Sequence, residues 1–519
     1  MMMDYILRGG TVVDGSGEKG YAADVAIKGD TIAMVGDLSG IRAEHELDVR
    51  GLVVAPGFID AHSHSDLSFL QDDSHASKLY QGITTEVTGQ CGDSPFPACA
   101  GEEMPGAWNC ASFEELVRRF EEDGHKMAVH QAIMLGHGSL RAHVVGYEDR
   151  AATGAELEKM KQLLDREMQS GVFGLSMGLE YAPGFFADQR ELNELGSVVE
   201  KHQGVVTCHM RDEGLGINEA LEELMAVNRF SGVHVHVSHL KLDHHQAHGR
   251  AQSVWKKILQ ARDSGVRITA DMYPFTASCT GLSIRCPKWS LDGGDEALLA
   301  HLRGDRRQEV IEGIRTHYFD AEQAETCLFC DDGGMWPEIA GKTLRFVAEE
   351  FLHTQDYAWA AAEVLLRTKA RINCIFFVMS EQDMKYFLMQ DVMIGSDGWA
   401  FSGDPEKVKS KPHPRSFGSA AEFLRICREE KLCPLEKAVH RMTGMVADML
   451  GICDRGRLAE GMKADIAVFD ADSIKPRSTY LNPVQLAQGV SHVFVDGAPA
   501  LLYGSQTANR NGKFLRKNI

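Results

Sequence analysis

Residues 205–240, VVTCHMRDEGLGINEALEELMAVNRFSGVHVHVSHL, decide the fold. The stretch opens on a short apolar run, VVTCHM, crosses a helical period in INEALEELMAVNRF, and returns to a second short run, VHVHVSHL. Alternation of this kind is the signature of parallel βα units. Upstream the pattern repeats. Thr153 is placed to cap a helix in which Leu157, Met160, Leu164 and Met168 share one face, and Gly171 stops it. VFGLSMGLEY (172–181) follows as a strand, and ELNELGSVVEKHQG (191–204) as a helix with Leu192, Leu195, Val198 and Val199 together. Eight candidate strands emerge along the chain, around FIDAHSH (58–64), TTEVTGQC (84–91), AIMLGHG (132–138), FGLSMGLEY (173–181), VVTCHM (205–210), HVHVSHL (234–240), RITADMY (267–273) and VMIGSD (392–397). Eight parallel strands with intervening helices is the barrel number, so the expected class is α/β, a (β/α)8 TIM-like barrel over residues 55–454.

The two ends read differently. Residues 1–54 and 455–519 are short strands and turns, such as ADVAIKGDTIAMVG and VSHVFVDGAPALLYG, and are expected to form one small β-sandwich domain closed by pairing across the chain termini. Gly15, Gly17 and Gly20 satisfy GxGxxG, but YAADVAIKGD after them alternates with period two. Without a helix N-terminus there is nothing to hold a pyrophosphate, and the segment reads as a hairpin turn.

Composition narrows the function. At 519 residues the chain is long enough for a large barrel and a smaller domain. Its 54 basic and 74 acidic side chains give a net charge of −20, which argues against nonspecific binding of nucleic acid or anionic membrane. No apolar run reaches the length of a spanning helix, and MMMDYILRGG lacks the features of a signal peptide, so a cytoplasmic location is the default expectation. The twelve cysteines are scattered and read as reduced thiols. Cys327 and Cys330 form a lone CxxC, with no second pair at finger spacing, and read as part of a buried strand.

The ends of the strands carry the chemistry. In a barrel alternate residues face inward, and sites lie at the C-terminal ends of strands. Val233, Val235 and Val237 share parity with His239, so three apolar layers stack beneath a histidine at the mouth; Val205 and Thr207 lead to His209 in the same way. His234 and His236 have the opposite parity and read as structural. His62 and His64 share one strand face and are spaced to grip one ion. Val87 and Gly89 lead to Cys91, a potential thiolate ligand, and Met393 and Gly395 lead to Asp397. Each residue alone is a weak signal; six at one end of successive strands point to a metal site. A zinc-bound water loses its proton near neutral pH, and Asp397 is placed to take that proton as general base and return it as general acid.

These residues resemble the amidohydrolase superfamily and, within it, the D-aminoacylase (N-acyl-D-amino-acid deacylase) family. The resemblance covers nearly the whole chain, through APGFIDAHSHSD, GITTEVTGQCGDSPFP, GHGSLR, GLSMGLEYAPG, CHMRDEG, VSHLK, DMYPFTAS, IGSDG, PHPR and GRLAEGMKADIAVFD. It implies hydrolysis of the amide of a small N-acyl-D-amino acid. It also implies a tight zinc on Cys91, His209 and His239, a weaker second site lined by His62 and His64, and Asp397 as acid/base. Hydantoinase-like relatives carry a bridging Lys in the fourth strand, and GLSMGLEY has none. By the same resemblance Tyr181, Lys241 and Arg415 grip the substrate α-carboxylate, and residues 286–345 form an inserted lid. Arg285 enters that lid and is expected either to read an acidic side chain or to tie lid to barrel. Met177 stands where a small hydroxyl residue is expected. His244, His245 and His248 read as a solvated loop. Open alternatives are a related reaction on a cyclic amide or an L-Xaa-D-Xaa dipeptide, and a catalytically silent scaffold; the sequence leaves the acyl group, side-chain preference and oligomeric state open.

Overall fold

The computed structural model describes residues 2–98, 108–331 and 334–517. Its centre is made of the short strands β1 (Phe58–Asp60), β2 (Ile83–Thr88), β3 (His130–Ile133, resuming as Leu135–Gly136), β4 (Gly174–Gly178), β5 (Val205–His209), β6 (His234–Val237), β7 (Ile268–Met272) and β8 (Met393–Ile394). All eight coincide with the segments expected from the sequence. Each pairs in parallel with the next in chain order, the continuation of β3 pairing with β4. Beyond β8 the backbone meets the end of β1: Ala61 N donates to Ile394 O at 3.2 Å and Asp397 N to His62 O at 2.8 Å. These contacts bring the first and last ligand-bearing segments side by side.

The helices follow from the local code. Helix α1 (Gly154–Ser170) begins with a capping box: the Thr153 side chain accepts from Glu156 N, and the Glu156 carboxylate accepts from Thr153 N at 2.8 Å. Leu157, Met160, Leu164 and Met168 are buried, and Gly171 ends the helix at φ 101°, a left-handed conformation that glycine adopts without a Cβ clash. Helix α2 (Gln189–Lys201) is capped by Asp188, and α3 (Ile217–Ser231) completes the crossover from β5 to β6.

Both chain ends contribute to a single nine-stranded sheet. Strand Val53–Pro56 lies antiparallel to Ile466–Phe469, which is where the N- and C-terminal portions meet. The glycine-rich segment joins strands Met3–Val12 and Tyr21–Lys28, which pair antiparallel, so it is a hairpin connection and no helix follows it. Between β7 and β8 a second core gathers Leu298, Val310, Phe329 and Val364. There Cys327–Asp331 is a strand beside Asn373–Phe376, as the CxxC reading anticipates. Residues 332 and 333 of the expected lid lie outside the described residues. Among the described residues no helix is long and apolar enough to cross a membrane.

Candidate metal centre

The parity expected of β6 is reversed. Val233, Val235 and Val237 are fully buried but pack with Leu221, Leu224, Val254 and Ile258 of the helices. His236, on the opposite face, bonds Asp271 toward the centre, and the left-handed turn at His239 then brings its ring in. The backbone turns sharply where the polar side chains converge: Cys91 (φ 55°), His239 (φ 36°) and Asp397 (φ 51°) all adopt the left-handed region that non-glycine residues avoid. Such strain persists only where surroundings impose it. Here Asp271 Oδ1 accepts from His239 N at 3.0 Å, and the Asp397 amide is held by His62 O.

Five of the six expected groups converge closely. Cys91 Sγ lies 3.3 Å from His62 Nε2, 3.3 Å from His239 Nε2 and 3.8 Å from His209 Nδ1. Asp397 Oδ1 is 3.6 Å from His62 Nε2 and 3.0 Å from His64 Nε2. One donor atom from each of His62, Cys91, His239 and Asp397 falls within 4.8 Å of the others, and His209, Glu213 and His239 form an overlapping group. His64 joins through Asp397. The Cys91 sulfur, several imidazole nitrogens and a carboxylate converge with few protons to share among them, and they are the ligand types that suit zinc.

A second layer fixes which ring nitrogen faces inward. His209 Nε2 meets Glu180 Oε2 at 2.8 Å, leaving Nδ1 toward Cys91; His239 Nδ1 meets Glu213 Oε1 at 3.1 Å, leaving Nε2 inward. Asp271 Oδ2 bonds His236 Nε2 at 2.7 Å and lies 3.6 Å from His62 Nδ1, so His236, expected to face the helices, faces the centre and braces it. Burial and the neighbouring Lys241 lower His239 to about 4, favouring the neutral ring that a metal requires. Burial pushes the Cys91 thiol well up, and the Asp397 carboxylate adds to the effect. Burial alone would also raise Asp397; the Arg415 guanidinium, with Nη1 2.7 Å from Oδ2, instead holds it well below the usual carboxylate range.

A cavity of about 410 Å³ opens over this cluster, with His64, Cys91, Tyr181, Asp397, Trp399 and Arg415 on its wall. Tyr181 OH lies 3.4 Å from His209 Nδ1 and accepts from Thr280 Oγ1 at 3.1 Å. Arg415, the first residue of helix α4 (Arg415–Glu430), also donates to Cys279 O at 3.0 Å and stacks over Tyr273. Two expected substrate residues sit elsewhere. Lys241 is buried behind His239, ion-paired with Glu213 and 2.8 Å from His239 Nδ1, and is not on the cavity wall. Arg285 is likewise off the wall, its guanidinium 4.5 Å above the Phe376 ring. Met177 is fully buried. His244 caps a short turn and His248 Nε2 bonds Val378 O, and neither belongs to a metal-capable group among the described residues.

Sequence reasoning missed Glu180, Glu213, Asp271, Tyr273 and Trp399. Trp399 has the parity of Asp397, two residues on, and Asp271 follows Ala270 at the end of a strand already identified. Glu213 carries no such signal, because it lies on the turn after β5.

Residues 45–279 and 395–500 match the model of the amidohydrolase family. The chain belongs to that family. Full-length relatives agree with the amidohydrolase assignment. An N-acyl-D-glutamate deacylase of Alcaligenes xylosoxydans xylosoxydans is 32% identical, with 99% of this chain and 97% of the relative covered. A D-aminoacylase of the same organism is 33% identical, with 99% and 98% covered. The crystal structure of N-acyl-D-glutamate deacylase from Bordetella bronchiseptica, complexed with zinc and a phosphonate mimic of the tetrahedral intermediate, superposes with a TM-score of 0.85. Sequence identity there is 31%, and coverage is 99% of this chain and 100% of that one.

Proposed function

We propose that this amidohydrolase is a zinc-dependent N-acyl-D-amino-acid deacylase, cleaving the amide to a carboxylate and a free D-amino acid. The observation that carries the reading is the convergence of Cys91 with His62, His209, His239 and Asp397 on one cavity, in a chain that aligns end to end with deacylases. Cys91, His209 and His239 would hold one zinc tightly, with His62 and His64 lining a second, weaker site. Bound there, zinc supplies a Lewis acid that polarises the amide carbonyl and acidifies water.

The protein's own groups do the rest. Asp397, kept ionised by Arg415, accepts a proton from the attacking water and passes it to the departing amine. Arg415 offers a fork that matches an α-carboxylate, with the Tyr181 phenol beside it; a fixed carboxylate and a fixed amide dictate which hand of the amino acid fits. Lys241, paired with Glu213 behind His239, braces that ring in place of the expected contact with the carboxylate. Arg285, off the cavity wall with its guanidinium over Phe376, ties the inserted segment to strand Asn373–Phe376 in place of the expected reading of an acidic side chain.

The framework we assign is a (β/α)8 barrel over residues 55–454, supported by the hydrogen bonds between β8 and β1. A small terminal β-sandwich takes residues 1–54 and 455–519, and a lid takes residues 286–345. Asp397→Asn is the direct test: it should fold and retain zinc, while amine release from N-acetyl-D-amino acids falls by about 10²–10⁴-fold. Turnover close to wild type would remove Asp397 from the mechanism.

A further inference from the structure

Far from the metal centre, at the other end of the helix that Arg415 begins, two thiols face each other. Cys427 and Cys433 have their sulfurs 3.3 Å apart. The chain brings them together by a specific turn. Helix α4 ends at Glu430, and Lys431 takes a left-handed φ of 56° that folds the following residues back over the last helical turn. Pro434 then starts helix α5 (Leu435–Arg441), which fixes the returning segment. Cys427 is buried in the helix face, whereas Cys433 is half-buried and open to small solutes.

The two sulfurs are not equivalent. A hydrogen bond from Cys427 and the nearby Arg441 guanidinium lower the Cys433 thiol to about 7, while Cys427 is raised by the same contact and by burial. Arg441 is itself held in place by the carbonyls of Val392 and Leu388. One accessible, acidified thiol with a second thiol in reach behind it is the arrangement of an attacking and a resolving cysteine.

We propose that Cys433 and Cys427 form an oxidisable dithiol site that takes a hydroperoxide and closes to a disulfide. The Cys433 thiolate attacks the terminal peroxide oxygen; the O–O bond breaks, the alcohol leaves with a proton, and Cys433 becomes a sulfenic acid. The Cys427 sulfur then attacks the Cys433 sulfur, its own proton leaving with the hydroxide as water. Two thiols are oxidised by two electrons and one peroxide is reduced. The sulfurs must close by about 1.3 Å to reach a disulfide bond length.

Among the described residues the other thiol pairs differ. Cys327 and Cys374 touch each other but are both fully buried, so neither is open to a peroxide. Cys279 and Cys330 are 3.6 Å apart, but their strands both pair with Asn373–Phe376 between them. A disulfide there would span roughly 9–10 Å of backbone, beyond the usual Cα range. Cys453 is exposed, with its sulfur on Gly451 O.

The test treats the zinc-loaded full chain with hydrogen peroxide, alkylates the remaining thiols, and maps peptides by mass spectrometry. The expected result is loss of alkylation at both Cys427 and Cys433, recovery of a cross-linked peptide pair lacking two hydrogens, and reversal by dithiothreitol. In Cys427→Ser, Cys433 should be trapped by dimedone as the sulfenic acid. Cys433→Ser should leave Cys427 fully alkylable and deacylation unchanged, because neither side chain lines the cavity. Full alkylation of both cysteines after treatment, or irreversible oxidation of Cys433 with Cys427 still free, would overturn the proposal.

Discussion

Glu213 shows how one side chain can govern the whole centre. Its carboxylate is held far below its usual range, against burial, by His209, Lys241 and His239 together. It orients His239 through Nδ1 and anchors the ammonium of Lys241. Replacing it by glutamine keeps the shape and removes the charge. Glu213→Gln should therefore retain the fold and lose zinc about 10–100-fold more readily in chelator competition. Unchanged zinc affinity would show that Glu213 does not set the ligand geometry. Cys91, His209 and Asp397 were legible in sequence because strand parity carries them, Val87, Val205 and Met393 packing together on the central face. His239 was not placed by parity, since Val233, Val235 and Val237 face the helices and a left-handed turn redirects the chain. Glu213 was not legible, since it follows His209 by four residues on a turn, where no repeat encodes direction. Lys241 was legible as important, but parity could not reveal that it lies behind His239 and not on the cavity wall.

At the scale of elements, the seam between β1, β2 and β8 depends on a buried ion cluster. Lys78 Nζ lies 2.8 Å from Asp60 Oδ2, 3.0 Å from Glu86 Oε1 and 2.9 Å from Ser396 Oγ, all buried. Asp60 Oδ1 accepts from Ser396 N at 2.7 Å, and Ser63 and Ser65 both donate to Glu86 Oε1 at 2.6 Å. The residues that alternate with His62, His64 and Asp397 thus knot the strands together from behind. Lys78→Met would leave two buried carboxylates unpaired and should cost about 3–5 kcal/mol in urea unfolding; a loss within about 0.5 kcal/mol would mean the cluster is not what secures the seam. By contrast Thr153→Ala, which removes only the capping oxygen of α1, should cost about 1 kcal/mol. The capping box could be read from Thr153 and Glu156 because cap and helix are adjacent in sequence. The Lys78 cluster could not, because its members lie up to 336 residues apart and meet only when β8 returns beside β1.

For the whole molecule, acid should act where the two chain ends meet the centre. Asp465, just before strand Ile466–Phe469, lies 3.3 Å from His130 Nε2 on β3 and is ion-paired with Arg455. Burial would raise its carboxyl, but His130 and Arg455 hold it below the usual range. A carboxyl with a depressed folded pKa stabilises the fold above its unfolded pKa, and that contribution is lost as pH falls through the folded value. The melting temperature should therefore drop as pH falls below about 4, and Asp465→Asn should be less stable at neutral pH with a flatter acid limb. An acid limb identical to wild type would exclude this junction as an acid-sensitive point.

The central claim is that this metal centre and the Arg415 carboxylate clamp select N-acyl-D-amino acids. The most direct measurement is release of free amine by the zinc-loaded protein from separate pools of N-acetyl-D- and N-acetyl-L-amino acids. Release confined to the D pool is the predicted result. Release from the L pool alone, or from neither pool, would contradict it.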